Sequence, residues 1–180
     1  MRSKIALMAA LCLALIVPAS ALGDTSSKTS ATFTSRAVED TAVAYYLSPD
    51  SSQCLIFSLD QRWVYPKGKP YHTVGLGVQL SNAACDPSST LASPDSWAFR
   101  IFPLEAAYVV TPSFTVGNLT VTADIAWVVT NGPYPLPYKC ANSCSVGQGT
   151  DAHLTGSVIV GGTPWLPRNG NVNSGTEWFY

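Results

Sequence analysis

Charge is scarce in this chain. Only 12% of its residues are Asp, Glu, Lys or Arg, and the ten basic residues are scattered. Phosphate neutralisation needs clustered Lys and Arg, so nucleic acid is excluded as a partner. Histidine is scarcer still: His72 and His153 are the only two. An imidazole base or metal ligand would have to be one of them, and neither lies in H-E-x-x-H or near G-x-S-x-G. Helical periodicity is missing as well. No stretch places apolar residues at i, i+3, i+4 and i+7 over ten positions, and Glu105 to Val110 could form at most one turn of helix. Gly147-Gln148-Gly149 lacks the strand and spacing of a phosphate-binding loop, and no Asp run has calcium-loop order. No cofactor is expected.

The N-terminus has a recognisable layout. Arg2 and Lys4 precede an apolar run from Ile5 to Val17, then Pro18 and Ala19-Ser20-Ala21. The run is too short to span a bilayer, and this order reads as a signal peptide over residues 1–21, cleaved after Ala21. The mature chain would hold 159 of the 180 residues, and losing the two positive charges takes the formal net charge from −1 to −3. After Ala21 no apolar run approaches the roughly 20 residues of a membrane helix, so no membrane span is expected in the mature chain. Residues 22–35, rich in Ser, Thr, Ala and Lys, read as a flexible leader, and 36–180 as a single β domain. The expected location is secreted, either extracellular or periplasmic.

What fills the domain is alternation. Leu119, Val121, Ala123, Ile125, Trp127 and Val129 alternate with Thr120, Thr122, Asp124, Ala126, Val128 and Thr130, which predicts a strand whose odd positions face the core, Trp127 among them. Thr41 to Leu47 is a second strand, ended by the turn Ser48-Pro49-Asp50-Ser51. Leu154, Val158 and Val160 point inward along a third, with Gly156 at a bulge or close approach. Ser52 to Tyr65 and Thr73 to Asn82 read as a hairpin. A turn near Lys69 sets residues whose numbers sum to about 139 face to face, Cys54 and Cys85 included. A 45-residue offset relates 48–81 to 93–126, consistent either with duplication or with a small vocabulary of turns and strands. Asn131 to Lys139, with Pro133, Pro135 and Pro137, is expected to run extended over the surface, because proline cannot donate to a ladder. Gly161 to Gly175 reads as a long polar loop, and Thr176 to Tyr180 as a final edge strand. The fold class is all-β: an antiparallel β-sandwich of seven to nine strands, with a partly open β-barrel as alternative, stapled by disulfides.

Four cysteines survive export, and the natural pairs are Cys54 with Cys85 and Cys140 with Cys144. A zinc site is disfavoured, since paired C-x-x-C knuckles are missing and export favours oxidation. Glu39, Asp40, Asp60 and Glu105 read as turn or strand-edge acids. The aromatics offer the remaining candidates for contact with a partner: Tyr134 and Tyr138 on the proline segment, Trp63 and Tyr71 beside the hairpin turn, and Trp165 near the C-terminus.

Trp127-x-x-x-Asn131-Gly132-Pro133, the Ser-Pro-Asp turn ahead of Cys54, and the Gly156 to Val160 turn-and-strand together resemble small secreted bacterial β-sandwich proteins with no assigned function. The resemblance implies no activity and transfers no functional residues. The reading of the residues favours a non-enzymatic exported domain that binds a glycan, protein or surface partner through its loops. The alternative is a small secreted hydrolase using His153 or His72 with a carboxylate.

Overall fold

The computed structural model describes residues 35–86, 91–137, 139–140 and 143–179. The expected signal peptide, nearly all of the leader, and Tyr138 lie outside them. Ten strands follow one another in the described residues: β1 (Ser35–Leu47), β2 (Gln53–Pro66), β3 (Tyr71–Asn82), β4 (Leu91–Ala92), β5 (Ala98–Phe102), β6 (Ala106–Val116), β7 (Leu119–Pro135), β8 (Lys139–Cys140), β9 (Ser143–Val160) and β10 (Thr163–Phe179). There is no helix among them.

All pairings are antiparallel. The strands form one continuous sheet in the order β4-β3-β2-β1-β10-β9-β7-β6-β5, with β8 added on β9. The sheet curls until β3 and β4 approach β6, and β1 approaches β5. Of the two expected all-β forms, this half-barrel corresponds to the partly open barrel; a sandwich would need two separate sheets.

The curl encloses one core. Phe57 and Leu59 of β2, Val109 of β6, Ile125 and Trp127 of β7, and Val158 of β9 all lie in the same buried cluster. The odd positions of β7 from Val121 to Trp127 face inward, as their alternation predicts. On β1, the even residues Ala42 and Ala44 face the core, and small residues continue across the floor as Gly170 of β10 and Ala152 of β9. Trp127 fills the space they leave. A Cβ on Gly170 would stand 2.6 Å from Leu154 and 3.0 Å from the Trp127 ring. Gly156 has φ +90°, and a side chain there would meet the Asp124 carbonyl at 2.1 Å, so it is the close approach expected of it.

The Cys54–Cys85 disulfide is present, with Cα atoms 5.3 Å apart, but the register differs from expectation. Partners in the β2–β3 hairpin sum to 135, so Cys54 faces Ser81, and the turn centres on Lys67 and Gly68. Cys85 lies beyond the strand, where its N–H bonds the Asn82 carbonyl and its φ of 61° turns the chain back over Cys54. A local turn, not cross-strand opposition, brings the sulfurs together. Cys144 is disulfide-bonded, and Cys140 stands opposite it in the β8–β9 ladder.

Further differences from expectation follow. The segment after Gly161 is not a loop: β10 lies between β1 and β9 over nearly its whole length. Its 170–177 stretch has Val172 as its one large apolar residue, and register with two neighbours, not apolar alternation, holds it in the sheet. Nor is its end an edge strand, since Trp178 pairs with both Arg36 and Cys144. The proline segment continues β7 and pairs with β9 through two register shifts, around a cis Gly132–Pro133 peptide. β6 stops opposite Val128, so Pro133 and Pro135 stand on a free edge where their missing N–H groups leave no ladder bond unmade. Finally, the two segments related by the 45-residue offset differ in build. The first is one hairpin, whereas in the second β6 lies between β5 and β7.

Candidate functional site

Directly opposed residues share a sheet face. The register therefore sets Asp60, Thr41, Asn173, Gly149 and Tyr134 in one row across β2, β1, β10, β9 and β7, on the face away from the core. The adjacent row runs Arg62, Glu39, Gly175, Gly147. Beyond Tyr134, Leu136 donates its N–H to the Gly147 carbonyl at 2.9 Å, which arches Leu136 and Pro137 over the glycines. The result is a groove of about 400 Å³ with Leu136 and Pro137 on one wall and Glu39, Thr41, Asn173 and Glu177 along the other.

Gly149 lies beside the groove and leaves room for its neighbours. A Cβ there would meet Asn173 Oδ1 at 2.9 Å, the Tyr134 ring at 3.0 Å and Leu136 at 3.1 Å. Three side chains, from β10, from β7 and from the residue just past its end, thus converge on a position with no side chain of its own. Tyr134 is held from its far end, where its hydroxyl donates to Asp151 Oδ1 at 3.0 Å and Asn131 Nδ2 donates to Asp151 Oδ2 at 3.3 Å. The Asp151 carboxylate accepting that bond raises the Tyr134 phenol above its usual range.

The opposite end of the groove is electrostatically uneven. Arg62 reaches across β1 to Glu177 Oε2 at 2.8 Å, and Ser143 Oγ donates to the other oxygen at 2.5 Å. The guanidinium lies 5.4 Å from the Phe179 ring centroid, and Ala37 is buried in the same row as Glu177. Glu39 and Asp60 accept no hydrogen bond from the described residues. Burial pushes the Glu39 carboxyl up against the opposing pull of Arg62, and Asp60, Glu177 and Asp40 add to the rise. Burial raises Asp60 likewise, again opposed by Arg62. Both acids read from the sequence as ordinary strand-edge residues. Thr41 and Asn173 gave no signal at all, because Asn173 lies in the stretch read as a loop.

The remaining sequence candidates separate. Trp63 stacks on His72, with ring centroids 4.7 Å apart, at the hairpin end on the core side of the sheet; Tyr71, 55% exposed, faces the other way. Trp165 belongs to the core cluster, so it presents no ring to a partner. Among the described residues the candidate binding aromatics do not form one patch; Tyr134 alone lies beside the groove, its ring against Gly149 in the row of Asn173. His153 is exposed on β9, and neither histidine is hydrogen-bonded to a carboxylate among the described residues. No group of three or more His, Cys, Asp or Glu among the described residues could hold a metal ion.

No family profile matches the chain, and no curated protein does. A solved structure from Nitrosomonas europaea, provisionally named AttH (NE1406), is similar at a TM-score of 0.42 and 11% identity, over 80% of this chain and 51% of that one. The chain thus spans about half the length of that neighbour, and a likeness of this degree says nothing about activity.

Proposed function

We propose that this is an exported, non-enzymatic binding domain whose ligand is a glycan lying in the groove over β1, β10 and β9. One observation carries the reading: the Tyr134 ring, fixed by Asp151, shares a row with the Asn173 amide and the Thr41 hydroxyl on a floor opened by glycine. A sugar has an apolar face that stacks on an aromatic ring and hydroxyls that pair with amides and carboxylates. Leu136 and Pro137 add an apolar wall, and Glu39, which accepts no hydrogen bond from the described residues, offers acceptor oxygens along the other side. The ring and the wall sit on a backbone tied to β9, so little ordering opposes binding. The Cys140–Cys144 pair, opposed in the β8–β9 ladder, would hold the chain that returns from the arch.

The test is retention on immobilised glycans by the wild-type protein, by Tyr134→Ala and by Asn173→Ala. Loss of one stacked ring or one amide pair is expected to weaken binding about tenfold or more, with unchanged thermal unfolding. Equal retention by all three proteins, or no glycan retained by the wild type, overturns the proposal.

A further inference from the structure

Among the described residues the free edges of the sheet are not alike. β5 is five residues long, carries Arg100 at its centre and is followed at once by Pro103. The free side of β7 holds Pro133 and Pro135. Charge, proline and short length are the usual means by which natural edges refuse another strand. β3 has none of them along Tyr71-His72-Thr73-Val74-Gly75-Leu76-Gly77. It pairs with β2 there without a bulge, and β4 covers only Val78 and Gln79 on its other side. Among the described residues, nothing pairs with the outer side of those seven.

We infer that this edge pairs with a second copy of itself, joining two half-barrels through antiparallel β3 strands about a two-fold axis. The side chains suit that partner. Odd residues of β3 lie on the outer face and even ones on the core side, so a two-fold register must oppose odd with odd. Two such registers bring the uncharged residues together, and both place bulk against glycine. One sets Tyr71 opposite Gly77 and Thr73 opposite Gly75; the other sets Tyr71 opposite Gly75 and Thr73 on the axis. An aromatic ring across from an edge glycine restores the packing that the glycine lacks. Tyr71 and Leu91 are the exposed apolar side chains at this edge, at 55% and 62%, and Leu91 lies over Gly77. In the first register the partner's Tyr71 comes against Leu91 and covers it. So narrow a contact falls below the ~1,200 Å² of standard interfaces, and it gives a weak, concentration-dependent dimer.

Sedimentation equilibrium of the purified protein tests this, from micromolar concentration to about 1 mM. The expected result is a rise toward twice the monomer mass, abolished by Thr73→Glu, which places negative charge on the axis or beside the partner's Asp60. Thermal unfolding of the variant should match the wild type. If Thr73→Glu fails to fold, Tyr71→Ser at the strand's exposed start reads the same contact and should weaken association about tenfold. A monomer at about 1 mM overturns the inference. So does a dimer that both variants leave intact, or a monomer whose β3 takes up only an added extended peptide.

Discussion

The indole nitrogen of Trp127 donates to the Val43 carbonyl at 2.8 Å, so a side chain from β7 ties to the backbone of β1 across the two strands between them. The crossing is possible because Ala152, Gly170 and Ala44 form the floor beneath it. Gly170→Ala is expected to destabilise the protein by about 1–3 kcal/mol through overpacking. Trp127→Phe removes both the bond and the ring's outer edge, and should cost about as much. In the double variant the smaller ring relieves part of the clash. Urea unfolding of the four proteins should therefore give a double-variant loss smaller than the sum of the two.

Removing the staple at its half-buried end, by Cys85→Ala, is expected to lower unfolding stability by about 2–4 kcal/mol, mostly through the freer unfolded chain. The difference between variant and wild type should vanish when both are unfolded under reducing conditions. A gap that persists in reductant would mean that the turn at Asn82 to Cys85 stabilises the hairpin without its sulfur bond.

Glu39 and Asp60 are raised above their ordinary values of 4.5 and 3.8 in the folded protein. Between those values and the raised ones the native state holds protons that the unfolded chain has released. Stability therefore falls as pH rises through that window, and the loss remains at neutral pH. Glu39→Gln is expected to stabilise the protein at pH 7 and to flatten its stability between weakly acidic and neutral pH. Chemical unfolding across that range checks both.

Asp50 behaves in the opposite sense. Its carboxylate accepts the Ser48 hydroxyl at 2.6 Å and the Ser52 N–H and hydroxyl at 3.1 and 2.8 Å, which holds its pKa down at about 2 from 3.8. Its contribution is present above the unfolded value and is lost as pH falls through the folded one. A carboxyl resonance titrating near 2, absent in Asp50→Asn, is the expected signature in a side-chain NMR titration.

Tyr46 is buried with its hydroxyl unpartnered among the described residues, and burial together with the Asp124 charge pushes its pKa up to about 12. An unpaired buried hydroxyl is a liability, so Tyr46→Phe is expected to leave stability unchanged or raise it, unlike most changes to so buried a residue. Absorbance titration of the phenols should lose its step near pH 12 in that variant.

The sequence disclosed the strands that alternate and concealed those that do not. Val121 to Trp127 and Leu154 to Val160 announce an inward face because one side of each strand meets the core and the other does not. The polar half of β10 carries no such contrast. Asn171, Asn173 and Ser174 are held by backbone pairing to β1 and β9, and composition alone sends them to a loop. The groove depends on that strand, so Asn173 and Thr41 stayed invisible, while Tyr134 was reachable because proline set it apart. The Cys54–Cys85 bond was foreseen with its register displaced, since spacing fixes how far apart two cysteines are but not whether a ladder or a turn closes the distance.

Ser35 pairs with Phe179, and β1 has β10 on one side and β2 on the other. A chain that emerges N-terminus first therefore exposes β1 with one flank bare until nearly every other strand has appeared. Such distant closure slows folding relative to its local hairpins, and it gives any holding factor a defined moment at which to let go: when β10 arrives and the two sets of strands become one sheet.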